Sequence, residues 1–315
     1  MSTLIVAPLQ QGLLDLTRLW LRSLKVDALL ASIPGALTLL WIGHTDVVAA
    51  LQAVADAFQI PDPQGRSALG VLAARVELPD VIAMAFCLLI TFACHTAIIR
   101  RQWRQLDSTG LLSVDAGLPA GARALLATVA ASLLYLALCF LSFSPTPWVM
   151  LDLASMQIPL VMQVLAALLF LSVAAIPTIW LSITLLPMPY LAALQGTSPI
   201  HLLPRSARLM RGHWWISSLY TSIPGTIYGS ILLLIPFVVL IVSFWWLGGL
   251  RVDGPELDHL HWLTTTITAS RWLLWPMDAL LLPMIHASCL VALRQALPSQ
   301  RIPPRPTTRP PTSPI

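Results

Sequence analysis

The run TSPIHLLPRSARLMRGHWWISSLYTSIPGTIYGSILLLIPFVVLIVSFWWL, residues 197–247, decides the fold of this chain. Its first part is basic and carries Arg205, Arg208 and Arg211, and its second part is a long apolar run that closes with paired tryptophans and a leucine. About twenty apolar residues are enough for a helix to cross the hydrocarbon core of a bilayer. The run therefore predicts a charged helix that leads directly into a membrane-spanning helix.

The composition of the whole chain agrees with a membrane location. Hydrophobic residues make up 57% of the 315 residues and charged residues only 10%, and the mean hydropathy is +0.79. Soluble globular domains carry about 25% charged residues, so this chain has too few to cover a water-facing surface. We therefore expect an all-α integral membrane protein with one membrane domain, residues 1–297.

Six apolar runs in the sequence are long enough to cross a bilayer, the first of them only marginally. They cover about residues 26–42, 81–99, 124–143, 158–186, 216–247 and 272–293. The remaining C-terminal segment, residues 298–315, is rich in proline and arginine. Because it has few apolar side chains to bury, we expect it to be disordered.

Two further segments predict amphipathic helices at the membrane interface. Residues 8–25 place their polar side chains at alternating steps of four and three, which is the spacing of one helix face. Such a stripe is typical of a helix in the headgroup region, or of a helix packed on the end of the bundle. Residues 46–58 have apolar side chains at helical spacing and predict a second interfacial helix on the opposite side.

The charge distribution predicts how the chain is oriented. A cytoplasmic N-terminus and six spans would put most acidic residues outside and all basic residues inside, except Arg66, Arg75, Arg251 and Arg271. Basic residues are enriched in the cytoplasmic segments of membrane proteins. We therefore predict that both termini are cytoplasmic.

Arginines near the predicted cytoplasmic surface are the candidate binding residues. Arg205, Arg208 and Arg211 follow one another at steps of three, with no acidic residue nearby in sequence. Arginines so close together repel one another unless anions lie between them. We expect the anions to be lipid phosphates or the carboxylates of an envelope protein, and we include Arg18 and Arg22 as further lipid contacts. The alternative is that these residues only determine topology.

An internal repeat with an offset of 190 residues is suggested by two matches. The pair Arg18-Leu19 aligns with Arg208-Leu209, and the Ser-Ile-Pro-Gly run at residues 32–35 aligns with the same four residues at 222–225. The matches predict repeated helical hairpins, each entered through a basic segment. Chance matching of apolar sequence is the alternative.

Four motifs within residues 181–215 carry a resemblance to a known group: PY at 189–190, QGTSP at 195–199, RSARL at 205–209 and RGHWW at 211–215. They resemble the hallmark of six-span bacterial inner-membrane proteins that include the YciC-like proteins and the membrane domain found beside some glycerophosphodiester phosphodiesterases. The resemblance implies a location in the bacterial cytoplasmic membrane and implies no activity. The phosphodiesterase catalytic domain is not found, because the chain has just two glutamates and no His-Arg pair.

Three of the polar residues inside the predicted spans are candidate functional residues. Asp278 lies about seven residues into the sixth span, His286 follows on roughly the same face, and His95 lies near the inner end of the second span. Charged residues at this depth usually face the bundle interior, so Asp278 is expected to be protonated, paired or capping backbone donors. An Asp–His–His relay for protons or an ion is one hypothesis, and structural hydrogen bonding is the alternative.

The sequence favours no enzyme. We find no phosphate loop, nucleophile elbow, dinucleotide fingerprint or metal-ligand spacing, and we predict neither a cofactor nor nucleic-acid binding. The first functional hypothesis is a non-enzymatic scaffold that contacts anionic lipid or an envelope partner. The second is a small transporter or lipid-handling protein that uses Asp278 as an intramembrane acid. An intramembrane enzyme that uses Asp278 and His286 is the least favoured.

Overall fold

The computed structural model describes residues 2–44, 78–107, 112, 114, 117–143, 160–246 and 256–297. These residues form eight helices and no strand. In chain order the helices are α1 (Ser2–His44), α2 (Leu78–Leu106), α3 (Leu118–Phe143), α4 (Leu160–Leu185), α5 (Pro187–Gln195), α6 (Pro199–Met210), α7 (Trp214–Trp246) and α8 (Glu256–Ala296). The interfacial helix predicted at residues 46–58 and the tail at 298–315 lie outside the described residues.

Six stretches of these helices are long and apolar enough to cross a membrane. They are Gln10–Leu40, Val81–Leu106, Pro119–Ser142, Leu169–Gln195, Trp214–Val242 and Thr268–Ala296. The predicted fold class, an all-α protein with six membrane-spanning helices, is therefore confirmed, and the chain is a multi-pass membrane protein.

The first helix differs from its prediction. The amphipathic segment 8–25 and the first predicted span belong to one continuous helix, α1. Its residues Leu16, Leu19 and Ser23 are buried, while Arg18 and Arg22 on the polar stripe are exposed. The helix continues because nothing between the polar stripe and the apolar run breaks it.

Residues 208–225, which align with residues 18–35 of α1 in the suggested repeat, are divided between two helices at a glycine. Gly212 aligns with Arg22 and has a φ of +87°, a backbone conformation that strongly favours glycine. As a result α6 ends at Met210 and α7 begins at Trp214, with a turn between them. The same sequence pattern thus forms one helix at the N-terminus and two helices, α6 and α7, within residues 197–247.

Prolines and a glycine also divide the chain between α4 and α6. Pro187 begins α5, and Gly196, with a φ of +63°, ends it by donating its N–H to Ala192 O at 2.8 Å. Ser198 then occupies the N-cap position of α6 and Pro199 its first turn. The short helix α5 is almost completely buried between its neighbours.

One end of the bundle, called the basic end below, is where α2, α5 and α8 terminate and α6 lies. Arg100 Nη1 of α2 donates to Ala193 O near the end of α5 at 3.1 Å. Arg294 Nη1, near the end of α8, lies 3.8 Å from Asp15 Oδ2 of α1. Fully buried large side chains such as Trp103, Leu191, Leu202 and Leu290 also lie towards this end. Many of the largest fully buried side chains are therefore found at the basic end.

The opposite halves of several helices expose large apolar side chains. Examples are Ile82 in α2, Leu169 in α4 and Leu233 in α7. Lipid tails are as apolar as these side chains, so contact with a bilayer costs them nothing. The exposed surface is therefore of the kind that faces lipid.

Candidate functional site

An open cleft at the basic end brings together the three candidate arginines, two on α6 and one directly after it. Arg205, Arg208 and Arg211 line it with His213, Leu209 and Ala296, and its volume is about 460 Å³. We call it the arginine cleft. It lies between α6, the turn that follows α6, and the end of α8.

The amphipathic character of α6 positions these arginines. Leu202, Ser206 and Met210 recur at steps of four and are buried, and Ser206 Oγ donates to Thr184 O of α4 at 2.8 Å. With this face held against the bundle, Arg208 remains exposed on the outer side of the helix. Arg211 follows the last helical residue in an extended conformation and is also exposed.

The cleft is rich in uncompensated positive charge. Arg205 Nη1 donates to the neutral Gln195 Oε1 at 2.7 Å, and Arg208 Nε donates to Pro204 O at 3.3 Å. Within the described part of the chain, none of the three arginines forms an ion pair with a carboxylate. The buried Nδ1 atom of His213 likewise finds no hydrogen-bond partner among the described residues. These groups are therefore suited to an anion.

The other two lipid-contact candidates lie elsewhere. Arg18 and Arg22 are exposed on the outer face of α1, and neither lines the arginine cleft. The five candidate arginines therefore belong to two surfaces, and only Arg205, Arg208 and Arg211 line the arginine cleft.

The intramembrane acid Asp278 is ion-paired. Its Oδ2 lies 2.8 Å from Arg271 Nη1, two helical turns earlier on α8. Tyr228 of α7 donates its hydroxyl to Oδ1 at 2.8 Å. Asp278 is only 3% exposed, so these two partners replace its hydration. The sequence suggested pairing as one of three alternatives and did not identify either partner.

The two candidate histidines meet in a separate cluster. His95 Nδ1 lies 2.7 Å from His286 Nε2, and Tyr190 Oη lies 3.1 Å from His286 Nδ1. The cluster joins α2, α8 and α5. Asp278 precedes His286 by eight residues, about 12 Å along the helix axis, and has its own partners. The histidine half of the suggested relay is therefore assembled, and Asp278 is paired outside it.

A third polar cluster was missed by sequence reasoning. Gln102 Nε2 of α2 donates to Asp27 Oδ2 of α1 at 2.9 Å and to Pro283 O of α8 at 3.0 Å. Arg101 Nη1 lies 3.4 Å from Asp27 Oδ1, and Asp27 and Gln102 are fully buried. The available signal was the spacing of four between Ser23 and Asp27, which puts both on the face opposite the basic stripe.

The described residues contain no group of three histidines, cysteines, aspartates or glutamates that could hold a metal ion. Cys87, Cys94, Cys139 and Cys289 are free thiols. The described residues thus form an open cleft lined by arginines and three internal polar clusters.

No family model, curated protein or solved structure matches the chain. The resemblance to the six-span bacterial proteins therefore stays a prediction, and functional inference rests on the geometry.

Proposed function

We propose that the chain is a non-enzymatic scaffold of the bacterial cytoplasmic membrane that binds anionic lipid headgroups at its basic end. The observation that carries the proposal is the convergence of Arg205, Arg208 and Arg211 on one open cleft without neutralising carboxylates in the described chain. Charge-assisted hydrogen bonds to phosphate compensate guanidinium groups strongly. An envelope protein that presents carboxylates is the other partner with suitable charge.

The position of the cleft favours a lipid over a distant soluble anion. It adjoins the start of α7, where Trp215 is 80% exposed and Trp214 lies beside it. Tryptophans are enriched at membrane–water interfaces, so this level of the bundle suits the headgroups. Each basic residue near an anionic surface contributes roughly 1 kcal/mol of attraction.

The charge pattern supports an orientation with the basic end and both termini in the cytoplasm. A reporter fused after Ile315 is then expected to be active only in cytoplasmic assays. Activity of a periplasm-specific reporter at this position would contradict the orientation.

The lipid-binding proposal is tested by removing the cleft charges. The triple variant Arg205→Gln, Arg208→Gln, Arg211→Gln should co-purify several-fold less anionic lipid, measured by mass spectrometry of lipid extracted from the purified protein. The matched control is Lys25→Gln, Arg104→Gln, Arg123→Gln, which removes the same charge from exposed residues outside the cleft. Equal lipid loss in both variants, or none in either, would contradict a specific site. Unchanged thermal unfolding shows that the fold is intact.

The second candidate function, a small transporter or lipid-handling protein, is favoured by the charged cluster of Asp278, Arg271 and Tyr228. Ionisable groups inside membranes often mark pathways for ions or substrates, and Pro276 and Pro283 lie within α8 nearby, where each lacks a backbone N–H donor. If this function holds, proton flux into proteoliposomes should exceed that of empty liposomes and be lost in Asp278→Asn. Flux no greater than that of empty liposomes would count against a proton-coupled role.

A further inference from the structure

The donors of the arginine cleft differ in how much of each side chain is already engaged. Arg205 is held by an uncharged acceptor, the Oε1 atom of Gln195, so the hydrogen bond orients the guanidinium without neutralising it. Arg208 uses only its Nε atom in its bond to Pro204 O, which leaves both Nη groups available. The exposed guanidinium of Arg211 adds a third set of donors. A guanidinium has five N–H groups and no acceptor.

Lipid headgroups differ in how well they match three such donors. A phosphomonoester has three terminal oxygens and a charge of about −1.5 to −2 at neutral pH. A phosphodiester has only two terminal oxygens and a single negative charge, so it leaves more of the cleft charge uncompensated. The cleft volume of about 460 Å³ lies within the range of small-ligand sites, roughly 300–1,000 Å³.

We propose that the arginine cleft selects a lipid whose headgroup ends in a phosphomonoester. This inference rests on the proposed function, because it names the lipid class bound at the same surface. Arg205, Arg208 and Arg211 each donate to the terminal phosphate oxygens. Leu209 and Ala296, which also line the cleft, provide the apolar contact that a glycerol backbone and the first acyl carbons need and that free phosphate lacks.

The preference is measured with the full-length protein in nanodiscs that contain phosphatidylcholine and a small, equal amount of phosphatidic acid and phosphatidylglycerol with identical acyl chains. After extraction and washing, we expect phosphatidic acid to be retained about tenfold over phosphatidylglycerol. One additional charge-assisted hydrogen bond is worth roughly that ratio. Equal retention of the two anionic lipids would overturn the inference and leave the proposed function intact. Retention of neither lipid over phosphatidylcholine would overturn both.

The same variants distinguish binding at the arginine cleft from attraction to the overall positive charge of the surface. The triple Arg205→Gln, Arg208→Gln, Arg211→Gln variant should lose the preference for phosphatidic acid, and the matched Lys25→Gln, Arg104→Gln, Arg123→Gln variant should retain it. Loss of the preference in both would assign it to net charge and overturn the site. Excess inorganic phosphate should leave the bound phosphatidic acid in place. Complete displacement by inorganic phosphate would overturn the assignment to a lipid.

Discussion

The helices α7 and α8 pack side by side and each contains two internal prolines, yet they differ in how much of each span is buried in the protein. The spanning part of α7 has a mean hydropathy of 2.4 and none of its most apolar stretch is buried in the protein, whereas α8 has a mean hydropathy of 1.6 and 56% of its stretch is buried. The more apolar helix is the less buried one. Inside a bilayer apolar surface gains nothing by leaving lipid, and polar groups must face protein.

The polar contacts of α8 explain its position at the centre of the bundle. Trp275 Nε1 donates to Ser32 O of α1 at 2.8 Å, Asp278 accepts from α7, and His286 meets α2 and α5. Gln295 Nε2 near the basic end donates to Tyr220 of α7 at 3.1 Å. The part of α7 that does contact α8 therefore contributes tyrosines, while its outer face remains apolar.

The largest effect is expected from separating the ion pair of α8. Arg271→Leu leaves the buried Asp278 carboxylate with Tyr228 as its remaining partner. Breaking a buried pair costs about 3–5 kcal/mol, and the side chain of Arg271 is 23% exposed, which favours the lower end. The measurement is the free energy of unfolding in detergent micelles.

The double variant Arg271→Leu, Asp278→Leu is the control for that prediction. It removes both charges and should recover most of the lost stability, since apolar replacement of a buried pair is often neutral. A double variant no more stable than Arg271→Leu would contradict this account of the ion pair.

A smaller effect, about 2 kcal/mol, is expected from Gln102→Leu. The substitution removes the donor to Asp27 and to Pro283 O, and a buried polar group without its partner costs about 1–3 kcal/mol. Gln105→Leu is the matched control, because Gln105 lies on an exposed face of the same helix and should change stability by less than about 0.5 kcal/mol. Equal costs for both variants would mean that the buried network contributes nothing specific.

The fold could be predicted from the sequence because span length and apolarity are properties of short segments. Residues 197–247 already contain the basic helix and the span that α6 and α7 form. The sequence analysis did not predict that the polar stripe of residues 8–25 and the first span form one continuous helix, α1. Arg22 lies within α1 where the aligned stretch has Gly212, and the turn between α6 and α7 lies at that glycine.

The polar clusters could be predicted only in part, because the hydrogen-bond and ion-pair partners of a polar residue depend on which helix packs against it. His95 and His286 were identified as candidates, and the structure brings them together. Asp27 was overlooked because it begins an apolar run, and Arg271 was assigned to an outer segment although it pairs with Asp278. Helix neighbours depend on tertiary packing, which local hydropathy does not contain.

The aligned glycines of the suggested repeat provide a further contrast. A Cβ atom on Gly35 would lie 2.4 Å from Cδ1 of Trp275 on α8, whereas one on Gly225 in α7 would meet nothing within 4 Å. Gly35→Ala should therefore cost about 1–2 kcal/mol through overpacking. Gly225→Ala should be neutral or stabilise by up to about 1 kcal/mol, because alanine favours helix. Thermal unfolding of both variants compares the same substitution on a protein-facing and a lipid-facing surface, and equal shifts would contradict the contrast.

The smallest effect is expected on the outer face of α7. Leu233 is 77% exposed, so Leu233→Ala should change the free energy of unfolding by less than about 0.5 kcal/mol, since lipid contacts the shortened side chain equally well. Leu290→Ala on α8, where the leucine is fully buried, leaves a cavity and should cost several-fold more. If Leu233→Ala were as destabilising as Leu290→Ala in micelles, the apolar face of α7 would have to contact protein, and its exposure would mark an interface between chains instead of a lipid-facing surface.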